Sequence, residues 1–205
     1  MSKKVRYWGL LPVCGGGVSV KFLKMLPALL LLAGGCAATL ERETPQAVRL
    51  GEAKLETTAL VEALLARKGT TVQAVNGSWR DQTFQAQCVM KGDGEKLTVV
   101  FLAPQMRLVT ITVTKPHAIR YERAPRIPSA FEPEYALADL AFVNLETDVL
   151  KRALFPALRV VDDGVTRRIE TSAGEGVAEV VRNASGTQTF RNLLHGYQYE
   201  LKGVQ

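Results

Sequence analysis

From about residue 71 the apolar positions of this chain recur every second residue, and on either side of that region they recur on a helical face. In TFQAQCVM, Phe84, Ala86, Cys88 and Met90 alternate with Thr83, Gln85 and Gln87, the pattern of a strand buried on one side. KLTVVFL, MRLVTITVT and HAIRYER repeat it after brief turns at KGDGE, APQ and Lys115-Pro116, which predicts four strands in an antiparallel meander. Pro125, Pro128 and Pro133 interrupt the sheet. Beyond them, PEYALADLAFVNLETDVLKRALF spaces Leu137, Leu140, Ala141, Val149, Leu150 and Leu154 for helical packing, with Asn144, Thr147 and Asp148 as rival starts of a second short helix. LRVVDDGVTRRIET predicts a hairpin about Asp163-Gly164, and GVAEVVRN, TQTFRNL and YQYELKGV continue the strands.

Upstream, Leu60, Val61, Leu64 and Leu65 share one face of a predicted helix in ETTALVEALLARKG. Arg67 and Lys68 are placed in its last turn, Gly69 supplies a left-handed stop, and AVRLGEAKL before it suits a short strand. Helix, strands, helix, strands is an α+β order. It predicts a curved antiparallel sheet or half-open β-barrel with helices covering the concave face.

The first residues follow another logic. The apolar run Met25–Gly35 is about eleven residues, too short for the ~20 that a membrane-spanning helix needs. Lys21 and Lys24 precede it, and Ala33, Gly34 and Gly35 close it, as in an export signal. Leu32-Ala33-Gly34-Gly35-Cys36 resembles the lipobox of bacterial lipoproteins, although Ala33 stands where that family usually has Leu. The resemblance implies cleavage before Cys36, with diacylglycerol and an N-acyl chain on its thiol and amine; several acyl chains give stable anchoring where one does not. By resemblance to enterobacterial sorting rules, Ala37 in place of aspartate implies transfer to the outer membrane rather than retention in the inner one. The expected organisation is a signal peptide at 1–35, a lipidated polar tether at 36–45 and one half-barrel domain at 46–205.

Charge changes meaning once the leader is set apart. The +6 balance contains five of the 26 basic residues and none of the 20 acidic ones before Cys36, leaving 21 against 20. The remainder has no net attraction for phosphate backbones, so nucleic acid is not an expected partner. Apolar content of 47% and charged content of 22% are those of a chain able to fill a core. With Cys36 acylated and Cys14 in the leader, Cys88 is left without a disulfide partner and reads as a buried thiol.

Catalytic signatures are sparse. There is no G-x-S-x-G elbow, and His117 and His195 lack metal-ligand spacing, so no metal and no catalytic residue is expected. Asp93, Asp162 and Asp163 fall in turns, where carboxylates accept hydrogen bonds from backbone amides. PEYALADLAF, LRVVDDGVTRRI and FRNLLHGYQYEL together resemble a family of uncharacterised proteobacterial lipoproteins, across most of residues 70–205. The chain differs from many relatives in carrying Ala141 and Asn144-Leu145 where they have Gln and Trp-Pro. The resemblance implies neighbourhood with aryl-polyene biosynthesis genes and a fold similar to the lipoprotein-localisation carrier and receptor proteins, half-open barrels with helical lids. On that basis Phe84, Met90, Leu97, Val99, Phe101, Leu108, Leu140 and Leu145 are candidate lining of an apolar pocket, with Trp79 and Phe131 near its mouth. The bland alternative is that they make a filled core.

The expected function is a monomeric periplasmic carrier without catalysis or cofactor. Its partners would be the membrane, an acyl chain, polyene or lipidated protein, and the lipoprotein export and sorting machinery. The rival is an envelope lipoprotein with a filled core that acts through protein contacts.

Overall fold

Alternation over so many strands produces one large sheet. The computed structural model describes residues 38–79, 82–125, 127 and 132–204. Strands β1 (Ala38–Arg42), β2 (Val48–Leu50) and β3 (Ala53–Leu55) precede helix α1 (Thr58–Leu65). Then come β4 (Lys68–Trp79), β5 (Gln82–Asp93), β6 (Lys96–Ala103), β7 (Met106–Thr114) and β8 (Ala118–Arg123). Helices α2 (Pro133–Asn144) and α3 (Thr147–Leu154) lead into β9 (Leu158–Asp162), β10 (Thr166–Thr171), β11 (Gly176–Arg182), β12 (Gln188–Asn192) and β13 (Tyr197–Gly203). Eleven strands form a single sheet in the order β1-β8-β7-β6-β5-β4-β13-β12-β11-β10-β9, every pair antiparallel, while β2 and β3 make a separate hairpin.

The helices show that this sheet curls. Helix α1 packs on β6 and β7, α3 packs on β9, and α1 also touches α3. In a flat sheet β7 and β9, third and last in the order, would stand roughly 38 Å apart at about 4.8 Å per strand. Packed helices lie only about 8–10 Å from each other. The sheet must therefore wrap around the helical layer, and its edges β1 and β9 do not pair with each other. The result is an open half-barrel with helices on its concave face, as the element order predicts. Antiparallel order puts the β4–β5, β6–β7, β10–β11 and β12–β13 connections at one end, the mouth. The β5–β6, β7–β8, β9–β10 and β11–β12 turns lie at the far end.

Burial settles which sheet face is inside. Val75, Cys88, Met90, Leu97, Val99, Ile111, Val113, Ile119, Val180 and Leu201 are buried and form one core with Leu60, Leu64, Leu137 and Phe142 of the helices. Helix α2 has eight of its twelve residues buried, including Glu134, because it is enclosed by α1 and the sheet.

Three sequence expectations change. Residues 38–42, read as part of a tether, pair with β8 from Ala38↔Arg123 to Arg42↔Ile119, because the alternation of ATLER suffices for an edge strand. Helix α1 stops at Leu65, and Lys68 and Gly69 open β4 rather than close the helix; Gly69 does adopt a left-handed φ of +101°, but within the strand. Strand β4 itself was not among the expected strands, since polar Thr71 and Gln73 stand on the face where apolar side chains would signal burial. The remaining elements lie where the pattern places them, AVRLGEAKL becoming the β2–β3 hairpin and α3 starting at Thr147.

Candidate functional site

The register places most of the expected lining residues on one face. Met90 lies opposite Val99, Gly92 opposite Leu97, Cys88 opposite Phe101, and Gly77 opposite Phe84. Met90, Leu97, Val99, Leu140 and Leu145 are buried in the core, and Phe101 and Leu108 are partly buried against it. Leu108 is the residue skipped where the β6–β7 register shifts between Phe101 and Leu102. Cys36, Phe131 and the Trp79 side chain lie outside the described residues.

Phe84 stands apart. It is 43% exposed on the inner face near the mouth. A Cβ added to Gly77 would fall 2.1 Å from its ring, so the phenyl lies across the bare glycine backbone. Gly77 pairs in turn with Tyr199, and Tyr199 with Phe190, on which it stacks at 4.7 Å between ring centroids. Tyr197 stacks beside Tyr199 at 6.4 Å and beside His195 at 6.4 Å, and the His195 ring meets Tyr135 edge-on at 5.9 Å. An aromatic row thus crosses β5, β4, β13 and β12 on the concave side. The helices cover it incompletely, because Phe84 and His195 are exposed and Tyr197 and Tyr199 only half-buried.

Polar clasps fasten the helical layer to the sheet beside this row. The Tyr197 hydroxyl donates to Asp139 Oδ2 of α2, and Asn192 Nδ2 donates to the Tyr197 oxygen at 3.0 Å. Burial pushes the Asp139 carboxyl up to about 7, against the opposing pull of Tyr197 and Asn192. At the C-terminal end of α2, Arg167 Nη1 donates to the carbonyls of Phe142 and Leu145 at 2.8 Å each, capturing acceptors that the helix terminus leaves unpaired. Arg167 Nε donates to Asp162 Oδ2 at 2.8 Å, Arg182 Nη1 donates to Asp162 Oδ1 at 2.9 Å, and the Thr147 hydroxyl donates to Asp162 Oδ2 at 2.6 Å. Arg182 above all, with Thr147 and Arg167, holds the Asp162 carboxyl far below the usual carboxylate range. A third clasp joins α2 to β1, where Arg42 donates to the buried Glu134 at 2.6 Å.

The turn carboxylates behave in part as expected. Asp93 Oδ1 accepts from the Glu95 and Lys96 amides, and Asp163 Oδ1 from those of Val165 and Thr166, which lowers both groups. Asp162 accepts the Gly164 amide too, yet its main role is the clasp, a tertiary arrangement that a turn signal does not announce. Burial pushes the Cys88 thiol up to about 12, which removes it as a nucleophile near neutral pH. His117 lies in the β7–β8 turn and His195 in the β12–β13 turn. Among the described residues no three His, Cys, Asp or Glu side chains group as metal ligands.

Two surface clefts lie among the described residues. One of about 310 Å³ lies between Glu52–Lys54 and the β10–β11 turn, and one of about 380 Å³ lies beside Asn192, Leu193 and Tyr197. None of the residues expected to line a pocket borders either.

Sequence reasoning overlooked Asp139, Arg167 and Tyr197. Each sits in one of the three stretches that carry the family resemblance, and those stretches meet at the clasps: PEYALADLAF brings Asp139 to the Tyr197 of FRNLLHGYQYEL, and its helix ends on the Arg167 of LRVVDDGVTRRI. The model of the family described as protein of unknown function DUF3261 matches residues 70–205. The chain belongs to that family. None of the curated proteins matches it. Among solved structures, this DUF3261 chain is similar to a domain from Vibrio parahaemolyticus named for outer membrane lipoprotein sorting, at 11% identity and a TM-score of 0.38, over 71% of this chain and 87% of that one. Among the described residues of the DUF3261 chain, no helix is long and apolar enough to cross a membrane.

Proposed function

We propose that this protein is an outer-membrane lipoprotein, acylated on Cys36, that receives an apolar chain on its concave face and passes it on without bond chemistry. The guest is an acyl chain, a polyene lipid or the lipid tail of a partner protein. The observation that carries this reading is the incompletely covered aromatic row over Gly77, from Phe84 to Tyr199 and Tyr197. Exposed aromatic surface in a concavity gains about 25 cal/mol per Å² when a hydrocarbon chain displaces its water. Gly77 keeps the floor of the row low, and the neighbouring Asp139–Tyr197 clasp gives α2 a polar line along which to lift for a longer guest.

Uptake of a fluorescent fatty acid by detergent-free Cys36→Ser protein tests the proposal. Saturable binding is expected, weakened about tenfold by Phe84→Ala, as the loss of one buried phenyl contact implies. Gly77→Val should block the row while leaving the fold's far end intact. Absence of uptake, together with a lipid-free organic extract, would reject the carrier.

One observation favours a second reading. Leu60, Leu64, Leu97, Ile111, Leu137 and Phe142 are fully buried, so the space beneath the helices is filled. On this reading the protein is an envelope component acting through partner contacts at its sheet edges β1 and β9.

A further inference from the structure

The position of Ala38 fixes how an anchored molecule must stand. Ala38 pairs with Arg123, Arg123 with Val109, and Val109 with Phe101, two residues before β6 ends. The chain therefore enters the sheet at the mouth, beside the β6–β7 connection. Cys36 is two residues upstream, and two residues reach at most about 7 Å. A lipid carried on Cys36 cannot hold the mouth away from a bilayer.

The same end carries bulky apolar side chains turned to solvent. Phe84 is 43% exposed at the start of β5, Leu193 is 52% exposed in the β12–β13 turn, and Phe155 is 80% exposed between α3 and β9. Leu193 lies against Gly176 at the start of β11, where a Cβ would come within 2.8 Å of it. Among the described residues the far end exposes only valines, Val161 at 49%, Val165 at 59% and Val204 at 48%, set among charged turns with Asp93, Asp163 and the Lys115–Glu95 ion pair. The mouth carries both signs of charge, with exposed Arg107 against Glu52 and Glu175, so lipid charge does not orient it.

We infer that the mouth is a membrane-contact surface: Phe84, Leu193 and Phe155 rest on the bilayer that holds the Cys36 lipid, and the far end points away from it. The inference rests on the acylation of Cys36 proposed above, and it places the open end of the aromatic row against the lipid surface. A strand of twelve residues such as β4 or β5 spans about 40 Å, so the two ends differ greatly in distance from the membrane.

The test uses the native lipidated protein in phosphatidylcholine vesicles containing a nitroxide-labelled lipid. A fluorophore is attached at Ser172→Cys, in the exposed β10–β11 turn at the mouth, or at Ser185→Cys, in the exposed β11–β12 turn at the far end. Mass measurement of the same samples reports the acyl chains. Expected is several-fold stronger quenching at 172 than at 185, lost when a long Gly/Ser insert separates Cys36 from Ala38 and reduced by combining Leu193→Asp with Phe155→Asp. Equal quenching at both sites with acyl mass present would overturn the orientation alone and leave the anchor standing. A polypeptide without acyl mass would overturn both.

Discussion

Replacing Arg167 with alanine should cost about 3–5 kcal/mol of stability, the usual penalty for breaking one side of a buried ion pair. The guanidinium is only 4% exposed, and its loss strands the Phe142 and Leu145 carbonyls together with one face of Asp162. For a domain of this size that shift lowers Tm by roughly 10 °C, readable by circular dichroism. Arg168, the next residue, supplies the control. It pairs with Glu179 at 3.3 Å but is 61% exposed, so Arg168→Ala should cost no more than about 1 kcal/mol. Two neighbouring arginines of the same strand thus differ in burial and in the helix-end carbonyls that Arg167 alone holds. Equal effects would mean that the clasp does not hold the helices.

Asp139 should make stability fall as pH rises from about 4 to about 7 and level off above that, and Asp139→Asn should remove this fall. The sign follows from proton counting. Burial raises the folded-state value of Asp139 to about 7, while the unfolded chain releases the same proton near the ordinary carboxylate value. Between those values the folded protein holds a proton that the unfolded chain has lost, so stability drops by up to about 1.4 kcal/mol per pH unit. His195 works in the opposite sense: partial burial lowers it, so the unfolded chain takes up its proton first as pH falls and stability is lost on that side. The difference between wild type and Asp139→Asn isolates the carboxyl, since asparagine can still accept the Tyr197 hydroxyl. The two proteins should be equally stable near pH 4 and diverge in favour of the variant by pH 8. If α2 lifts to admit a guest, fatty-acid uptake by the wild type should also speed up over this range while that of the variant stays level. Denaturant titration at several pH values measures the first effect, and parallel stability curves would refute it.

The sheet was legible because alternation is a local property. Phe84 to Met90 and Met106 to Thr114 announce half-buried strands whatever they pair with, and Asp163-Gly164 announces its hairpin. Strand β4 was hidden because its inward positions include Thr71, Gln73 and Gly77, which resemble a loop in sequence and are acceptable inside only where Gln73 meets Asn144 and Gly77 receives the Phe84 ring. Strand β1 was hidden because five residues of mixed polarity suit a tether equally well until an edge is available. The clasps were hidden for another reason. Asp139 and Glu134 within an apolar helix look like its solvent side, and only α2's enclosure between α1 and the sheet turns them inward to Tyr197 and Arg42. Partnership across 58 and 92 residues leaves no periodic trace.

The aromatic row has the same origin. Phe84, Gly77, Tyr199 and Phe190 are scattered over a hundred residues of sequence and become neighbours only through register. On the carrier reading the binding surface is the incompletely covered part of this row, Phe84 with Tyr199, whereas Phe190 is fully buried. A photoactivatable fatty acid, irradiated with the detergent-free protein and mapped by peptide mass spectrometry, addresses this most directly. Adducts concentrated on Phe84, Tyr197 and Tyr199, and suppressed by excess unlabelled fatty acid, are the predicted result. Adducts spread over the outer face, or none that competitor removes, would contradict it.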